Sequence, residues 1–248
     1  MICFEIMEYL KLKGIVCKIT EYKEADKILT LLTYEKGKVQ VIAKGVKKKG
    51  AALSHVARLF YCGEFECVCK NNMPILTGAA MIQDFFGLTN NIETLYYASH
   101  FMDVCSCFIQ AEQPSGDIMS LLLNSLYLLM KSNSDPLLLT CILHFRMSAI
   151  EGAAPVTDFC VECNKPLDDN CTLGFSLEQD GVTCCKNGKS ISGAVYQAIN
   201  HICTADSSKI FFLSIPKTDL PVLYELSCKY IEKIAGRHFE ILDRIEEL

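Results

Sequence analysis

Cysteines at metal-ligand spacing are the clearest chemical feature of this sequence. Cys160 and Cys163 are separated by two residues, and Lys165 and Pro166 follow them. A turn of this kind points two thiolates and several backbone N–H groups at one tetrahedral ion, which is typical of a zinc knuckle. Further along the chain, Cys184 stands where a third ligand belongs. We therefore expect a structural zinc site, because four thiolates leave no open coordination position for water.

The identity of the fourth ligand is open. Asn187, a poor zinc ligand, stands three residues after Cys184, where a zinc ribbon carries its last cysteine. The fourth thiolate then comes from Cys185, with Cys171 as the alternative. Two further interpretations remain. The knuckle has lost its metal, or it is a redox-active pair, although neither a βαβ pattern nor a helix start follows it, as such pairs require.

Lysines form the second chemical feature. Residues 38–50 begin with alternating β-branched residues and end in a glycine-containing stretch of lysines without an acidic residue. A strand that runs into a flexible cationic loop presents positive charge to a polyanion, and lysines neutralise phosphates without reading base sequence. The alternative interpretation is a solvated hairpin end. The predicted DNA contacts are Lys44, Lys47, Lys48, Lys49, Lys18, Lys23, Lys27 and Arg58.

Three tyrosines lie near these cations in sequence. Tyr22, Tyr34 and Tyr61 are candidates for stacking on bases, as aromatic side chains do on single-strand-binding barrels. Packing in a core or hairpin is the favoured interpretation for each of them. Cys67 and Cys69 alternate with Phe65 on one strand face, which indicates a core face rather than a metal site.

The elements that position the lysines are strands. Period-two patterning predicts strands over residues 14–22, 28–34, 38–43, 56–70 and 75–83. Cys62 and Gly63 mark a bend or bulge inside the fourth of them. Because no helix long enough for a parallel crossover separates these strands, we expect a small antiparallel barrel. An OB-type barrel is predicted, and an SH3-like barrel is the alternative.

The elements that position the cysteines are helices. From residue 84 onward the apolar period changes to about 3.6. Asn91 is a candidate cap for the first helix, and Ser134 or Asp135 caps the third, with Pro136 at the tolerated first position. The predicted helices cover residues 91–110, 116–131, 135–151, 190–203 and 219–236.

The predicted architecture is α+β with two domains. A barrel of residues 1–82 precedes a helical domain of residues 83–248, into which the cysteine knuckle of residues 159–188 is inserted. Charge divides in a similar way. Residues 1–80 contain 13 Lys and Arg against 8 Asp and Glu, whereas residues 81–248 contain 11 against 21. This asymmetry indicates an anion-binding N-terminal part and a C-terminal part with another role.

Composition excludes several protein classes. With 50% hydrophobic and 21% charged residues, the chain is neither disordered nor fibrous. Uncharged stretches such as residues 118–130 are shorter than the roughly 18 to 20 residues of a membrane span, and the N-terminus lacks the basic region of a secretory signal. The 15 cysteines are odd in number and spread through apolar segments, which favours reduced thiols in the cytoplasm. The histidines are scattered and no phosphate-binding glycine loop is present, so no enzyme is predicted.

Taken together, these features resemble the RecO family of DNA-repair recombination mediators. The similarity runs along nearly the whole chain, and the Glu-Ala-Asp-Lys-Ile-Leu-Thr and Ala-Lys-Gly segments are its most specific parts. The matching segments are 13–16 (Lys-Gly-Ile-Val), 22–33 (Tyr-Lys-Glu-Ala-Asp-Lys-Ile-Leu-Thr-Leu-Leu-Thr), 35–38 (Glu-Lys-Gly-Lys), 43–48 (Ala-Lys-Gly-Val-Lys-Lys), Cys160 and Cys163 with 165–167 (Lys-Pro-Leu), 174–176 (Gly-Phe-Ser) and 242–245 (Leu-Asp-Arg-Ile).

The resemblance implies a function as well as a fold. Proteins of this family have an OB barrel and a helical domain with the finger, bind single- and double-stranded DNA, and anneal complementary strands. With the RecR partner they load recombinase onto strands coated by single-strand-binding protein (SSB), whose acidic tail contacts the helical part. Some members have lost the four-cysteine finger, so Asn187 bears on metal binding and not on membership. The rival interpretation is a protein–protein adaptor, or an RNA-binding OB protein, with weak DNA affinity. A cytoplasmic, nucleoid-associated location is expected.

Overall fold

Five N-terminal strands close into a barrel in the computed structural model of this chain, which describes residues 8–70, 73–131, 134–167, 172–185 and 187–246. The strand order around the barrel is β1-β2-β3-β5-β4. The prediction of five strands is confirmed, although the first begins earlier and the fourth later than expected. The strands are β1 (Glu8–Tyr22), β2 (Asp26–Thr33), β3 (Gly37–Ala43), β4 (Tyr61–Lys70) and β5 (Met73–Asp84).

One neighbouring pair of strands departs from the antiparallel prediction. β1 pairs with β2 and β4, β2 pairs with β3, and β4 pairs with β5, all antiparallel. β3 and β5 are parallel, and their register joins Ile42 to Ile75. The reason is arithmetic: five strands in a ring cannot alternate in direction all the way round. The prediction of an antiparallel barrel is therefore wrong for the pairing of β3 with β5.

Alternate residues of the strands fill the barrel. Leu12, Val16, Leu29, Val41 and Phe65 are among the residues of its buried core. Cys67 belongs to the same core cluster, which agrees with its assignment to a core face. The period-two patterning was thus a sound guide to the side of each strand that is buried.

Residues 44–60 form successive turns rather than the start of a strand. Val46 and Val56 belong to the barrel core, and Leu53 packs partly against it. Because these apolar side chains are spaced by the turns and not by an alternating strand, the prediction of a strand from residue 56 is wrong for residues 56–60. β4 begins after Phe60, whose φ of 64° lies in the left-handed region. The expected irregularity is present as a register shift between Cys62 and Gly63.

All five predicted helices are present. They are followed by one short helix that the sequence did not predict. The α-helices are α1 (Ile92–Phe108), α2 (Gly116–Lys131), α3 (Pro136–Ile150), α4 (Gly193–Thr204), α5 (Leu220–Ala235) and α6 (Glu240–Glu246). A 3₁₀ helix, Phe86–Asn90, precedes α1. Within the described parts of the chain, each helix is too short or too polar to cross a membrane.

Two of the predicted helix caps form. Asn91 Oδ1 accepts hydrogen bonds from the backbone N–H of Glu93 at 2.8 Å and of Thr94 at 3.2 Å. Asp135 Oδ1 accepts from the N–H of Leu137 at 2.9 Å, and Pro136 occupies the first turn of α3. These carboxylate and amide oxygens satisfy backbone donors that have no partner inside the helix.

A small antiparallel sheet carries part of the cysteine knuckle. Its strands are β6 (Gly174–Ser176), β7 (Gly181–Thr183) and β8 (Lys189–Ser190), in the order β7-β6-β8. The strands have only two or three residues each, and that is too short for an alternating pattern to appear in the sequence. They were not predicted for this reason.

Contacts divide the chain into two units. The first contains the described residues up to Leu95 together with Cys105–Met130, and the second contains Tyr96–Val104 together with the described residues from Lys131 onward. α1 therefore contributes residues to both units. The predicted domain boundary between residues 82 and 83 stays a prediction, since these units do not follow one cut in the chain.

In the first unit, the segment after α1 lies against the turn between β2 and β3. Lys38 Nζ donates to the carbonyl oxygen of Ser106 at 2.7 Å, and Gly37 forms a β-bridge with Ala111. Ser115 Oγ donates to the carbonyl oxygen of Thr33 at 2.7 Å. Because the ammonium of Lys38 neutralises the carboxyl end of a helix, this lysine has a structural partner.

In the second unit, α3 is the central helix. Seven consecutive residues, 139–145, are buried on all sides of it, as expected for a helix without a solvent-facing stripe. Phe145 packs with Phe175 and Tyr230, with ring centroids 5.8 to 6.4 Å apart. His144 of α3 meets His100 of α1, with 2.7 Å between their Nε2 atoms.

Candidate nucleic-acid interface and candidate metal centre

The lysine-rich loop after β3 is tied to the turn between β1 and β2. The backbone N–H of Gly45 donates to Asp26 Oδ1 at 2.8 Å, and the N–H of Lys47 donates to the carbonyl oxygen of Ala25 at 3.1 Å. Gly45 has a φ of 66°, which glycine adopts without a steric cost. Two stretches that are 19 to 22 residues apart in sequence are thereby brought side by side.

Ion pairs reinforce this junction. Lys47 Nζ lies 2.6 Å from Glu21 Oε2, and Lys27 Nζ lies 3.9 Å from Glu21 Oε1. The hydrogen bond that Lys47 donates holds the pKa of the Glu21 carboxyl below its ordinary value. Glu21 is thus a carboxylate at the centre of the junction, and it orders two of the predicted DNA-contacting lysines.

Three lysines of the loop are exposed without a counter-ion. Lys44, Lys48 and Lys49 are exposed, and within the described residues no ion pair holds their ammonium groups. Lys23 is also exposed, and its Nζ lies 5.1 Å from the centre of the Tyr22 ring. We call the following set the lysine surface: Lys23, Lys27, Lys44, Lys47, Lys48 and Lys49.

The lysine surface has an excess of positive charge. Its six lysines face three carboxylates on the same two stretches, those of Glu21, Glu24 and Asp26. Since the excess charge is exposed, its interaction with a bound polyanion falls with ionic strength over a Debye length of about 8 to 10 Å. The arrangement suits contacts to phosphates rather than to base edges.

Two predicted contacts lie apart from the lysine surface. Lys18 is exposed on β1 and pairs in register with Thr30. Arg58 forms an ion pair with Asp84 at 3.0 Å, and its guanidinium stacks on the ring of Phe86 at 4.9 Å. No described contact joins either residue to the lysine surface, and their role in DNA binding stays a prediction.

The three tyrosines differ in exposure. Tyr61 is 1% exposed and packs edge to face on Phe65 inside the barrel, with a centroid distance of 5.7 Å. It is therefore a core residue, as the packing interpretation expected. Tyr34 and Tyr22 are half-buried, and Lys13 Nζ lies 5.4 Å from the Tyr34 ring. Of the three, Tyr22 alone adjoins the lysine surface.

Four cysteines converge on one point of the second unit. The Sγ atoms of Cys160, Cys163, Cys184 and Cys185 lie within 4.8 Å of one another. Cys160 and Cys185 are 3.9 Å apart, and Cys163 and Cys184 are 3.6 Å apart. A tetrahedral zinc ion with bonds of about 2.3 Å separates its sulfur ligands by about 3.8 Å. The two printed separations are close to this value, so the donor set is compatible with a tetrahedral metal ion, and Cys171 lies outside the described residues.

The thiols of the cluster have unequal acidities. Burial raises the pKa of Cys160, but hydrogen bonds from the N–H groups of Cys163, Cys184 and Glu162, together with the contact between Cys160 Sγ and Thr183 Oγ1, outweigh it, and the pKa falls to about 5. Hydrogen bonds with Cys163 and Cys160 raise the pKa of Cys184 to about 12, while burial is the main reason for the raised pKa of Cys185. Without a cation, the four thiols cannot all ionise at this distance, whereas a metal ion deprotonates them together.

Polar residues around the cluster form a network that the sequence did not predict. Thr183 Oγ1 donates to Glu162 Oε1 at 2.8 Å, and Asn187 Nδ2 donates to Glu162 Oε2 at 2.8 Å. Asn187 is therefore a hydrogen-bond donor to Glu162 at this site. The sequence contains one indication of this network, the threonine that directly precedes Cys184 and Cys185. Threonine favours a turn in which its side chain bonds to the backbone two residues later.

Two family models match this chain. The family model described as “Recombination protein O N terminal” matches residues 7–85, and the one described as “Recombination protein O C terminal” matches residues 89–240. The chain belongs to the RecO family. Membership assigns it a role in DNA repair and recombination.

Individual relatives support the RecO assignment, two of them over nearly the whole chain. The chain is 31% identical over 248 residues to the “DNA repair protein RecO” of Acetivibrio thermocellus, and the matched region covers 98% of each chain. It is 34% identical over 241 residues to the protein of the same name from Caldicellulosiruptor saccharolyticus, which covers 96% of this chain and 98% of the relative. The protein of that name from Bacillus subtilis is 30% identical over 174 residues, or 70% of this chain.

Proposed function

We propose that this RecO-family protein binds single- and double-stranded DNA through the lysine surface and anneals complementary strands. The observation that carries the proposal is the junction of two separate stretches, in which Gly45 and Lys47 donate to Asp26 and Ala25. These bonds bring the two stretches that carry the six lysines side by side, and this supports a shared phosphate-binding surface on the barrel unit. Such contacts are largely independent of base sequence.

Annealing by such a surface requires no covalent chemistry. Two complementary strands repel each other through their phosphates, and lysines that neutralise part of this charge lower the repulsion while the bases stay free to pair. The protein then acts as a mediator and not as an enzyme. The barrel has the strand order β1-β2-β3-β5-β4, and this supports its assignment to the OB type, whose loops and open face bind oligonucleotides.

The proposal extends to protein partners. With RecR, the protein helps to load recombinase onto single-stranded DNA that is coated by SSB. The C-terminal part of the chain, residues 81–248, contains 21 Asp and Glu against 11 Lys and Arg, a balance poorly suited to DNA. It supports a role in protein contacts for that part of the chain.

The cysteine cluster is proposed to hold a structural zinc ion. Cys160, Cys163, Cys184 and Cys185 would be its four ligands, and the bound ion would cross-link the knuckle turn to the end of β7. Structural zinc contributes on the order of 10 kcal/mol or more to the folding of a small domain. With four thiolates in place, it offers no open position for catalysis.

A strand-annealing assay tests the proposed function. Two complementary labelled strands are mixed with the protein, with and without single-strand-binding protein. We expect annealing faster than the spontaneous rate, and we expect it to continue on coated strands. The variant in which Lys44, Lys48 and Lys49 are replaced by alanine should anneal more slowly, whereas Lys209→Ala/Lys217→Ala, which removes two lysines of the other unit, should not. Equal rates with and without the wild-type protein would rule out the proposal.

A protein–protein adaptor is the competing function, and the acidic C-terminal part of the chain is the observation in its favour. Filter binding of single-stranded DNA at two salt concentrations separates the two functions. An adaptor shows weak binding at both concentrations, whereas a DNA-binding mediator shows tight binding that weakens steeply as salt is added.

A further inference from the structure

The side chains of the consecutive residues Cys184 and Cys185 both point at the four-cysteine cluster. This is unusual for two residues that directly follow a strand. Successive side chains of an extended chain point in opposite directions. Cys184 and Cys185 directly follow β7, which ends at Thr183. Nevertheless, Cys184 Sγ lies 3.6 Å from Cys163 Sγ, and Cys185 Sγ lies 3.9 Å from Cys160 Sγ. Some interaction must turn the backbone between the two cysteines.

The hydroxyl of Thr183 provides this turn. The backbone N–H of Cys185 donates to Thr183 Oγ1 at 3.0 Å, a side-chain turn that spans two residues. The backbone N–H of Cys184 meanwhile donates to Cys160 Sγ at 3.3 Å. The chain thus leaves the extended conformation directly after β7, and both cysteine side chains face the cluster.

The Thr183 hydroxyl is itself held in place. It is fully buried, and its hydrogen is directed at Glu162 Oε1, 2.8 Å away. Its oxygen is therefore free to accept from Cys185. The other oxygen of Glu162 accepts from Asn187 Nδ2 at 2.8 Å. A continuous chain of hydrogen bonds runs from Asn187 through Glu162 and Thr183 to the backbone of Cys185.

We propose that Thr183 and Glu162 are positioning residues that make Cys185 the fourth metal ligand, with Asn187 as the tether of Glu162. Asn187, which stands where a fourth cysteine is expected, then has a different role, because it holds the Glu162 carboxylate that orients the Thr183 hydroxyl. This inference rests on the proposed metal centre and extends it. Mutation of residues that orient metal ligands commonly lowers metal affinity by about 10- to 100-fold, and we expect a loss of this order for variants of Thr183 and Glu162.

Cobalt titration of the full-length protein tests the inference. The metal-free protein is kept reduced and is titrated with Co²⁺, whose visible bands report tetrahedral geometry and whose ultraviolet charge-transfer band grows with the number of thiolates. Wild-type protein should show a four-thiolate spectrum. Thr183→Val removes the hydroxyl at nearly constant volume, and we expect the charge-transfer band to fall by about one quarter, as one of four thiolates is lost.

Further variants separate positioning from folding. Thr183→Ser keeps the hydroxyl and should restore the four-thiolate spectrum. Glu162→Gln should weaken zinc binding about 10-fold or more in competition with a chelating dye, whereas Glu178→Gln, at an exposed carboxylate in the turn between β6 and β7, should leave it unchanged. If Thr183→Val fails to fold, as judged by its helical circular dichroism, Glu162→Gln and Asn187→Ala carry the test.

The outcomes distinguish this inference from the metal centre itself. A wild-type protein that takes up no Co²⁺ or Zn²⁺ overturns both. A wild-type four-thiolate spectrum that persists in Thr183→Val, with unchanged zinc affinity in Glu162→Gln, overturns the positioning roles and leaves the metal centre standing. A spectrum that is unchanged in Cys185→Ser would also overturn the inference, because Cys185 would then not be a ligand.

Discussion

At the scale of single residues, His100 and His144 form a buried pair of titratable side chains. Their Nε2 atoms are 2.7 Å apart, and His144 Nδ1 lies 3.2 Å from Ser227 Oγ. Within the described residues, His100 Nδ1 has no hydrogen-bond partner. Burial lowers the pKa of His100 to about 3, with the charge of Arg237 adding to it, and burial also lowers the pKa of His144, with His100 adding to it. Both rings are therefore neutral at pH 7.

We predict that acid destabilises the protein through this pair. Between pH 6.5 and the lowered folded pKa, the unfolded chain binds protons that the folded protein does not. The contribution of this neutral pair to the free energy of unfolding is therefore fully present above about pH 6.5. It is lost as the pH falls, by up to about 1.4 kcal/mol per pH unit for each histidine. Urea unfolding followed by circular dichroism at pH 7, 6 and 5 measures it, since the chain has no tryptophan.

Variants identify the source of this pH dependence. His144→Gln removes one titrating ring, so its stability, although lower at pH 7, should vary less with pH than that of the wild type. His55→Gln, at an exposed position, controls for the loss of an imidazole. A wild-type stability that is the same at pH 5 and pH 7 contradicts the prediction.

At the scale of elements, the turn between β2 and β3 requires glycine. Gly37 has a φ of 57°, and a Cβ atom built on it would lie 1.8 Å from the carbonyl oxygen of Gln110. Gly50, in the lysine-rich loop, has a φ of 77° and nothing within 4 Å of its Cβ position. The two glycines thus share a left-handed backbone but differ in the space around them, which makes Gly50 a matched control.

We predict that Gly37→Ala is far more destabilising than Gly50→Ala. The left-handed conformation alone costs about 1 to 2 kcal/mol for alanine, and this is the loss expected at Gly50. At Gly37 the segment at Gln110 must also move, so we expect a loss of about 3 kcal/mol or more. Equal denaturant midpoints for the two variants would show that the backbone at Gln110 does not restrict the space around Gly37.

The lysine-rich loop allows a second prediction at the scale of elements. Replacing Lys44, Lys48 and Lys49 by alanine removes three charges that have no ion-pair partner among the described residues, and it leaves the bond between Lys47 and Glu21 intact. Because each phosphate contact contributes about 0.7 to the salt slope on single strands, the log–log slope should flatten by about 2. Fluorescence anisotropy at several salt concentrations measures it, with Lys209→Ala/Lys217→Ala as the control. An unchanged slope would place the DNA elsewhere.

At the scale of the whole molecule, metal removal should act on the second unit. We predict that elemental analysis finds about one zinc per chain, in agreement with four thiolate ligands. A strong chelator with a reductant should lower the melting temperature, and Cys163→Ser should melt at a lower temperature that the chelator no longer changes. A metal-free protein that melts like the untreated one would exclude a structural zinc ion.

Much of this molecule could be predicted from its sequence, for identifiable physical reasons. The barrel strands and the long helices carry strong periodicity, and the caps at Asn91 and Asp135 are local in sequence. Cys185 was named as a ligand because it was one of two thiols near enough. The network of Glu162, Thr183 and Asn187 was not predicted, because it depends on a turn that only the folded chain defines. The pairing of Glu21 with Lys47 was missed for a similar reason: it joins residues 26 positions apart.

The parallel contact between β3 and β5 has a consequence for how the barrel opens. Only Ile42 and Ile75 join these strands in register, whereas β5 pairs with β4 along most of its length. Beyond Ile75, the β5 amides that point toward β4 belong to the ladder between these two strands, and among the described residues the alternate amides have no β3 partner in register. Hydrogen exchange along this strand should therefore alternate between slow and fast amides. We therefore expect local unfolding of the barrel to begin at the contact between β3 and β5.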